Sequence, residues 1–276
     1  MSAVATSPAA GRRPAPRNRV QRFLTSSIGL KLVMAFSGVL LSLFVLGHML
    51  GNLQAFQGAR ALNEYAELLR KEPALLWTVR FGLLGTIALH IYAYIALLKR
   101  NGAARPKGYR MRKWRESSYA SRSMTITGPL LLAFIIFHLL HLTTGTVHPD
   151  FREHDVYHNV VTGLGGLVGL IYVLAMAMLA LHLWHGVWSM LLTLGLPEGR
   201  YGSTGRAGAT IFTALVTIGF AVVPLLVMAG VIGPEDAAPP PAATSDAALA
   251  PPRPAEPEPA TAAPKAAEPA APAEAK

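Results

Sequence analysis

Five long apolar stretches, separated by polar segments, dominate the chain. Each has close to the 20 or so residues that a helix needs to cross a hydrocarbon core about 30 Å thick. In lipid the backbone N–H and C=O groups must bond within the segment, so stretches of this length predict transmembrane helices. The predicted spans are Ile28–Leu50, Leu75–Leu98, Met124–Thr144, Leu164–Leu194 and Ala209–Ile232. The pattern therefore predicts an all-α integral membrane protein with five transmembrane helices.

The polar flanks divide the chain into three parts. Residues 1–27 form a basic arm rich in Arg, Pro and Ala, and residues 28–232 contain the five spans. The apolar stretch after the arm is too long for the core of a cleaved signal peptide, so we interpret it as the first span. Residues 233–276 are mostly Ala, Pro and Glu. This composition buries too little apolar surface to fold, so a disordered tail is predicted.

Composition and charge support a membrane environment. Hydrophobic residues make up 52% of the chain and charged residues 14%, whereas soluble domains average about 25% charged. The net charge of +10 does not indicate nucleic acid, because it lies at the predicted membrane edges and not on one face. Most of the 25 Lys and Arg residues lie in the arm, in the loop Lys99–Arg122 and after the fourth span. The positive-inside rule then places the N-terminus in the cytoplasm and the C-terminus outside.

Six histidines lie within the predicted spans, where ionisable side chains are costly and indicate functional sites. They are His48, His90, His138, His141, His182 and His185. Four-helix bundles build cofactor sites from side chains on facing helices. Imidazoles on facing helices, in a chain with no cysteine, suit b-type haem ligated from both faces, and two pairs predict two haems. Four of the five spans would form this haem-binding bundle.

Depth along the spans predicts how the histidines pair. Spans one and three run outward, and spans two and four run inward. At a rise of about 1.5 Å per residue, His48 pairs with the span-three doublet near the outside, and His90 pairs with the span-four doublet near the cytoplasm. The same estimate slightly favours the second member of each doublet, His141 and His185. That difference of one turn lies within the error of the predicted boundaries, so each doublet stays open.

Several short motifs, in this order and spacing, resemble the five-helix, two-haem cytochrome b membrane subunit of succinate:quinone oxidoreductases, the succinate dehydrogenase and fumarate reductase family. The resemblance covers about Leu30 to Ile232. The motifs are GHMLGNLQ at 47–54, ALNEYA at 61–66, LHI at 89–91, SRSM at 121–124, FHLLH at 137–141, DVYH at 155–158 and HLWHG at 182–186.

The resemblance implies which member of each doublet is an axial haem ligand. The family's third-span ligand lies about ten residues after a Thr-Gly pair, and Thr127-Gly128 assigns that role to His138. On the fourth span the family's ligand is followed four residues later by Gly, and Gly186 assigns the role to His182. The implied ligands of the two haem irons are His48, His90, His138 and His182.

Other polar residues become candidates for supporting roles. His141 and His185 are candidates for contact with a haem propionate or a ligand, the alternative being a simple hydrogen bond between helices. Lys99 and Arg100 end span two, and their long stems can reach back to a propionate, although they also suit a membrane edge. Glu67, in the outer loop, is the candidate for quinone protonation, which needs a titratable group at the membrane edge.

The resemblance also implies electron transfer as the function. The chain would be the membrane-anchoring, quinone-reactive subunit in a bacterial cytoplasmic membrane. Electrons would pass through the haems between a cytoplasmic flavoprotein and iron–sulfur dehydrogenase and a membrane quinone, menaquinone. The succinate chemistry would belong to those partner subunits, since this chain has no cysteine for clusters and no Gly-rich dinucleotide loop.

Other functions fit parts of the pattern. A haem-free anchor, or a transport protein with structural intramembrane histidines, would also contain buried His. Transporters more often have inverted repeats, into which five spans do not divide. The cytochrome b subunit of a formate dehydrogenase or hydrogenase also uses transmembrane His, but a candidate ligand on each of four consecutive spans favours the succinate family.

Removal of Pro239–Lys276 should leave assembly and haem content unchanged, because this segment has no apolar stripe with which to dock. Haem per chain, measured on purified full-length and truncated complexes, tests this. Loss of the complex on truncation would contradict the predicted disorder.

Overall fold

The computed structural model describes residues 18–104, 119–196 and 202–234. These ranges contain helices and no strand. Most of the basic arm, most of the loop Lys99–Arg122 and all but the first two residues of the tail predicted to be disordered lie outside the described residues.

The helices follow one another along the chain and include all five predicted spans. In chain order they are α1 (Arg19–Leu24), α2 (Ser27–Asn52), α3 (Ala59–Arg70), α4 (Pro73–Ala103), α5 (Tyr119–His138), α6 (Val156–Gly163), α7 (Gly166–Thr193) and α8 (Gly202–Met228). Five of these, α2, α4, α5, α7 and α8, are long and apolar enough to cross a membrane. The predicted fold class, an all-α integral membrane protein with five spans, is confirmed.

The helix ends differ from the predicted span ends by up to a few turns. The last helix begins at Gly202, and not at Ala209, because hydropathy marks the lipid-embedded part of a helix and not its polar end. After α5 the chain continues for one turn as a π-helix, Leu139–Thr143. A turn of this kind changes the direction of the side chains that follow it.

Large apolar side chains are exposed along the long helices. Phe36 on α2 is 59% exposed, Phe81 on α4 is 65% exposed and Ile218 on α8 is 67% exposed. In water such surfaces would cause association. In a bilayer they contact hydrocarbon, and the helical backbone leaves no unpaired polar group facing lipid. The chain is therefore a multi-pass membrane protein.

Two helices, α2 and α7, occupy the centre of the bundle. The closely packed neighbours are α2 with α4, α2 with α7, and α5 with α7, while α8 packs on α7 and α2. Among the described parts of α2, α4, α5 and α7, three combinations are not closely packed: α2 with α5, α4 with α7, and α4 with α5. The packing order is therefore α4, α2, α7, α5. Because all four helices line one cavity, α2 with α5 and α4 with α7 lie diagonally across it.

A polar cap closes the side of the bundle opposite the N-terminus. In it α3 packs against α6, and α6 packs against the π-turn. The residue that ends α6, Gly163, lies against two histidine rings. A Cβ added there would lie 2.5 Å from His148 Nε2 and 2.8 Å from His141 Cε1. Since His141 is only 1% exposed, neither ring has room to move away, and glycine is required for this close approach.

The substitution Gly163→Ala should destabilise the protein by about 1–3 kcal/mol, the usual cost of an added methyl group in a packed core. Thermal unfolding of the purified protein in detergent measures this. The matched control is Gly82→Ala in the middle of α4, where an added Cβ meets no atom within 4 Å. Gly163→Ala should unfold at a lower temperature than Gly82→Ala. Equal unfolding temperatures would contradict the close packing at Gly163.

Candidate functional site

Four intramembrane histidines lie together in two pairs. His48 on α2 faces His138 on α5, with ring centroids 5.9 Å apart. His90 on α4 faces His182 on α7, with ring centroids 6.4 Å apart. Each pair joins two diagonal helices of the bundle, so the rings meet across its interior.

Both distances fit two imidazoles on opposite sides of one metal ion. A metal–imidazole nitrogen bond is about 2.0–2.1 Å long, so two ring centroids around one ion lie about 6 Å apart. Haem iron needs only two ligands from the protein, because the macrocycle supplies the others. Two facing imidazoles are therefore the donor set that a haem iron takes from the protein.

A large apolar cavity connects the two pairs. It has a volume of about 2260 Å³ and is lined by α2, α4, α5 and α7, with all four histidines in its wall. A site for one cofactor or small molecule measures about 300–1,000 Å³, so this volume accommodates two large groups. Gly47 and Gly186, next to the ligand candidates, also line it, and an added Cβ at either would meet no atom within 4 Å. The cavity therefore fits flat macrocycles close to the helices.

A serine hydroxyl orients the ring of His90. Ser37 Oγ donates to the carbonyl of Val33 at 2.8 Å, with the Met34 carbonyl at 3.0 Å. Its single proton is thereby committed to the backbone. The 3.0 Å contact between Ser37 Oγ and His90 Nδ1 is then a bond donated by Nδ1–H. In this tautomer the lone pair is on Nε2, the atom that a metal would use.

His182, the partner of His90, also has a hydroxyl beside its Nδ1. Thr127 Oγ1 lies 3.5 Å from this nitrogen, and Thr127 is 1% exposed. A glycine also lies close to each ring. An added Cβ at Gly38 would lie 3.9 Å from His90 Cε1, and one at Gly128 would lie 3.9 Å from His182 Cε1. Both rings of this pair are thus flanked by a hydroxyl and a glycine.

The rings of the other pair, His48 and His138, have aromatic side chains and a phenol as their neighbours. His48 stacks on Phe44 at a centroid distance of 5.5 Å and lies 5.6 Å from the ring of Phe220. His138 Nδ1 is 3.3 Å from the hydroxyl of Tyr172, and His141 Nδ1 is 2.9 Å from the same oxygen. His141 therefore lies beside the candidate ligand and contacts it through Tyr172.

Three further candidates from the sequence, His185, Arg100 and Lys99, lie towards the end of the bundle where α2 begins. His185 lines the cavity one turn beyond His182. The guanidinium of Arg100 donates to the carbonyl of Thr25 and lies 3.5 Å from Ser27 Oγ. It thus ties the end of α4 to the start of α2, a role that sequence analysis missed. Lys99 is exposed.

Sequence analysis also missed the supporting hydroxyls of Ser37 and Tyr172. The available signal was a hydroxyl residue in an otherwise apolar span, three turns before a candidate ligand. Ser37 precedes His48 in this way, and Tyr172 precedes His182. Each hydroxyl nevertheless supports a histidine on a different helix, so its partner cannot be read from spacing along one helix.

Glu67 lies in the polar cap, on α3. Its carboxylate accepts hydrogen bonds from His154 Nδ1 at 3.0 Å and from Arg70 Nη1 at 3.1 Å. The bond from His154 is the main cause that lowers the pKa of Glu67. Burial acts in the opposite direction with a smaller effect than His154, and Arg70 lowers the pKa further. Glu72, two residues after α3, lines the cavity, whereas Glu67 is not among its lining residues.

Asp155 joins the two helices of the cap. Its Oδ1 accepts from the backbone N–H of His158, at the start of α6, and from Asn63 Nδ2 on α3, each at 3.0 Å. Asn63 Oδ1 in turn accepts from the backbone N–H of Tyr157 at 3.0 Å. Burial favours a raised pKa for Asp155, but these two hydrogen bonds, with the charges of His158 and Arg152, lower its pKa overall.

Comparison with known proteins gives one family. Residues 100–228 match the family model of the succinate dehydrogenase/fumarate reductase transmembrane subunit. The resemblance inferred from the motifs is confirmed over this segment, which contains His138 and His182, one member of each pair. No curated protein and no solved structure matches the chain. Over these residues the chain is similar to the transmembrane subunit of succinate dehydrogenase and fumarate reductase.

The contribution of Asp155 to the cap should depend on pH. A carboxyl group with a lowered pKa in the folded protein stabilises it above the ordinary carboxyl pKa, and this stabilisation is lost as the pH falls below about 4. Hydrogen-exchange protection of the Val156–Gly163 amides, corrected for intrinsic exchange, should fall over that range. In Asp155→Asn it should be about 0.3–1 kcal/mol lower at neutral pH, because the charge at the helix N-terminus is gone.

The control for this measurement is Glu153→Gln, a neighbouring exposed carboxyl group that should retain the wild-type pH profile. A wild-type profile in Asp155→Asn would show that another group controls the acid sensitivity of the cap.

Proposed function

We propose that the chain is the membrane cytochrome b subunit of a succinate:quinone oxidoreductase and that it holds two b haems. His48 and His138 would bind one haem, and His90 and His182 the other. The observation that carries the proposal is the facing arrangement of these rings, at centroid distances of 5.9 and 6.4 Å. It occurs in a chain of which residues 100–228 match the family.

The haem iron, when bound, supplies one-electron redox chemistry. The chain's own residues hold the ring pairs, orient their nitrogens and surround them with apolar side chains. The helix geometry supports two sites in series: Gly38, which faces His90, precedes His48 by ten residues, or about 15 Å along α2. The two sites thus lie at different depths, as transfer of electrons across part of a membrane requires.

The distribution of charge supports one orientation of the protein in the membrane. The excess of Lys and Arg on the side of the N-terminus favours a cytoplasmic location for that side. The pair His90 and His182 then lies towards the cytoplasm, where the flavoprotein and iron–sulfur subunits would dock. The polar cap and the pair His48 and His138 would lie towards the outside of a bacterial cytoplasmic membrane.

A membrane quinone, with menaquinone as the predicted type, would exchange electrons with one of the two sites. Its protonation requires a titratable group at a membrane edge. Glu67 remains the prediction for this role, although its carboxylate is bonded to His154 and Arg70. Glu72 is the alternative in the polar cap, because it lines the cavity.

Substitution of single ligands should test the proposal. The wild-type complex should contain about two haems per chain by pyridine haemochrome analysis, and each of the four substitutions His→Ala should leave about one. His48→Ala and His138→Ala should remove the same component of the reduced-minus-oxidised spectrum, and His90→Ala and His182→Ala the other. His154→Ala, in the polar cap, is the control and should retain both.

Two results would decide against this assignment. A wild-type complex with no b-type signal would favour a haem-free anchor. Loss of the same component in His48→Ala and His90→Ala would show that the ligands pair otherwise.

A further inference from the structure

The phenol of Tyr172 connects two histidines of α5. Its oxygen lies 3.3 Å from His138 Nδ1 and 2.9 Å from His141 Nδ1. Tyr172 is 7% exposed and His141 is 1% exposed. Tyr172 and His141 thus form a buried hydrogen-bonded group with the half-buried His138, which itself faces His48. Nothing in the family match assigns Tyr172 or His141 a role.

Counting protons restricts how this group is bonded. A phenol has one proton to donate, and a neutral imidazole has one N–H and one lone pair. Two bonds to the same phenol oxygen, with its proton used in one of them, require that one ring donates and the other accepts. If His138 binds metal through Nε2, as the proposed function requires, its proton is on Nδ1. His138 then donates to Tyr172, and Tyr172 donates to His141.

The surroundings of His141 suit it as the terminal acceptor. Its ring stacks between Phe137, at a centroid distance of 5.4 Å, and His148, at 4.8 Å. His148 is itself fixed: its Nδ1 accepts from the Asp150 N–H at 3.1 Å, and its Nε2 donates to the Asn159 carbonyl at 3.0 Å. A neutral ring held in this way keeps His141 in place from one side, as Phe137 does from the other.

We propose that Tyr172, backed by His141, is the positioning residue that fixes the tautomer and ring orientation of His138, so that Nε2 of His138 faces His48. The inference rests on the proposed function. Hydrogen bonds in a chain strengthen one another. A phenol that donates to His141 is therefore a better acceptor for His138 Nδ1–H, and this raises the basicity of His138 as a ligand.

The other pair supplies an internal comparison. Ser37 plays the corresponding part for His90, but its proton goes to the backbone of its own helix. No second side chain is needed there to complete the arrangement. The group at His138 differs because its acceptor is a phenol whose proton goes to a second histidine. The effect of Tyr172 should accordingly be confined to the haem of His48 and His138.

The test uses Tyr172→Phe in the purified complex, which removes only the hydroxyl. The midpoint potential of the haem bound by His48 and His138 should rise, because a less basic ligand stabilises the oxidised iron less. This haem should also be retained about 10- to 100-fold more weakly, the usual effect of removing the partner of a metal-ligating histidine. Redox titration, the low-spin EPR signal and haem transfer to an acceptor protein measure these effects. The other haem should be unchanged.

Further variants separate positioning from packing. Tyr92→Phe, at an exposed tyrosine of α4, is the matched control and should leave both haems unchanged. His141→Gln keeps a side chain that can accept from the phenol, so it should shift the potential less than His141→Leu. This comparison also decides the question if Tyr172→Phe does not assemble.

The failures of the two proposals are distinguishable. Absence of haem from the wild-type complex would refute the proposed function. Two haems in the wild type, with potential, EPR signal and retention unaltered in Tyr172→Phe, would overturn the positioning role alone. Loss of both haems together would make Tyr172 a general packing residue and would overturn it as well.

Discussion

The candidate site depends on which ring nitrogen of each histidine carries the proton and donates a hydrogen bond, and which is left free to bind a metal. An imidazole that binds metal through Nε2 must have its proton on Nδ1, and in an apolar surround that proton needs an acceptor. Hydroxyl groups lie next to Nδ1 of His90, His138 and His182, at 3.0, 3.3 and 3.5 Å. Without these hydrogen-bond partners the rings could rotate, and the two rings of each pair would not be held facing each other. His48 is the exception, since aromatic rings on either side hold it.

The sequence was sufficient to predict the spans, because hydrocarbon thickness restricts a spanning helix to a narrow range of lengths. It was also sufficient to pair His48 with span three and His90 with span four, because depth is linear along a helix. Depth did not separate His138 from His141, and taken literally it favoured His141. The two histidines are three residues apart, where α5 continues into the π-turn, so their rings point in different directions at nearly the same depth. In the structure α5 packs against α7, the Tyr172 hydroxyl lies between the two rings, and the ring of His138 is the one that faces His48.

The polar cap was the least predictable part of the fold. Its short helices, α3 and α6, are joined by side chains distant in sequence, such as Asn63 and Asp155. No periodic pattern along the chain predicts a contact between side chains so far apart in sequence. Arg100 is a similar case: its position at a membrane edge was evident, but its bond to the Thr25 carbonyl depends on how α1 turns into α2. Glu67 was chosen by its location in the outer loop, and its actual partners, His154 and Arg70, came from the fold.

The two sites are linked by the way in which ligands and supports are distributed among helices. On α2, Ser37 contacts His90, whereas His48 belongs to the pair with His138. On α5, Thr127 contacts His182, whereas His138 belongs to the pair with His48. On α7, Tyr172 contacts His138, whereas His182 belongs to the pair with His90. In each case ten or eleven residues, about 15 Å of helix, separate the support from the ligand. A rigid shift of any of these helices therefore moves a candidate ligand in one pair and a supporting hydroxyl at the other pair. The geometry of one site consequently restricts the other, and a substitution that tilts α2, α5 or α7 alters both.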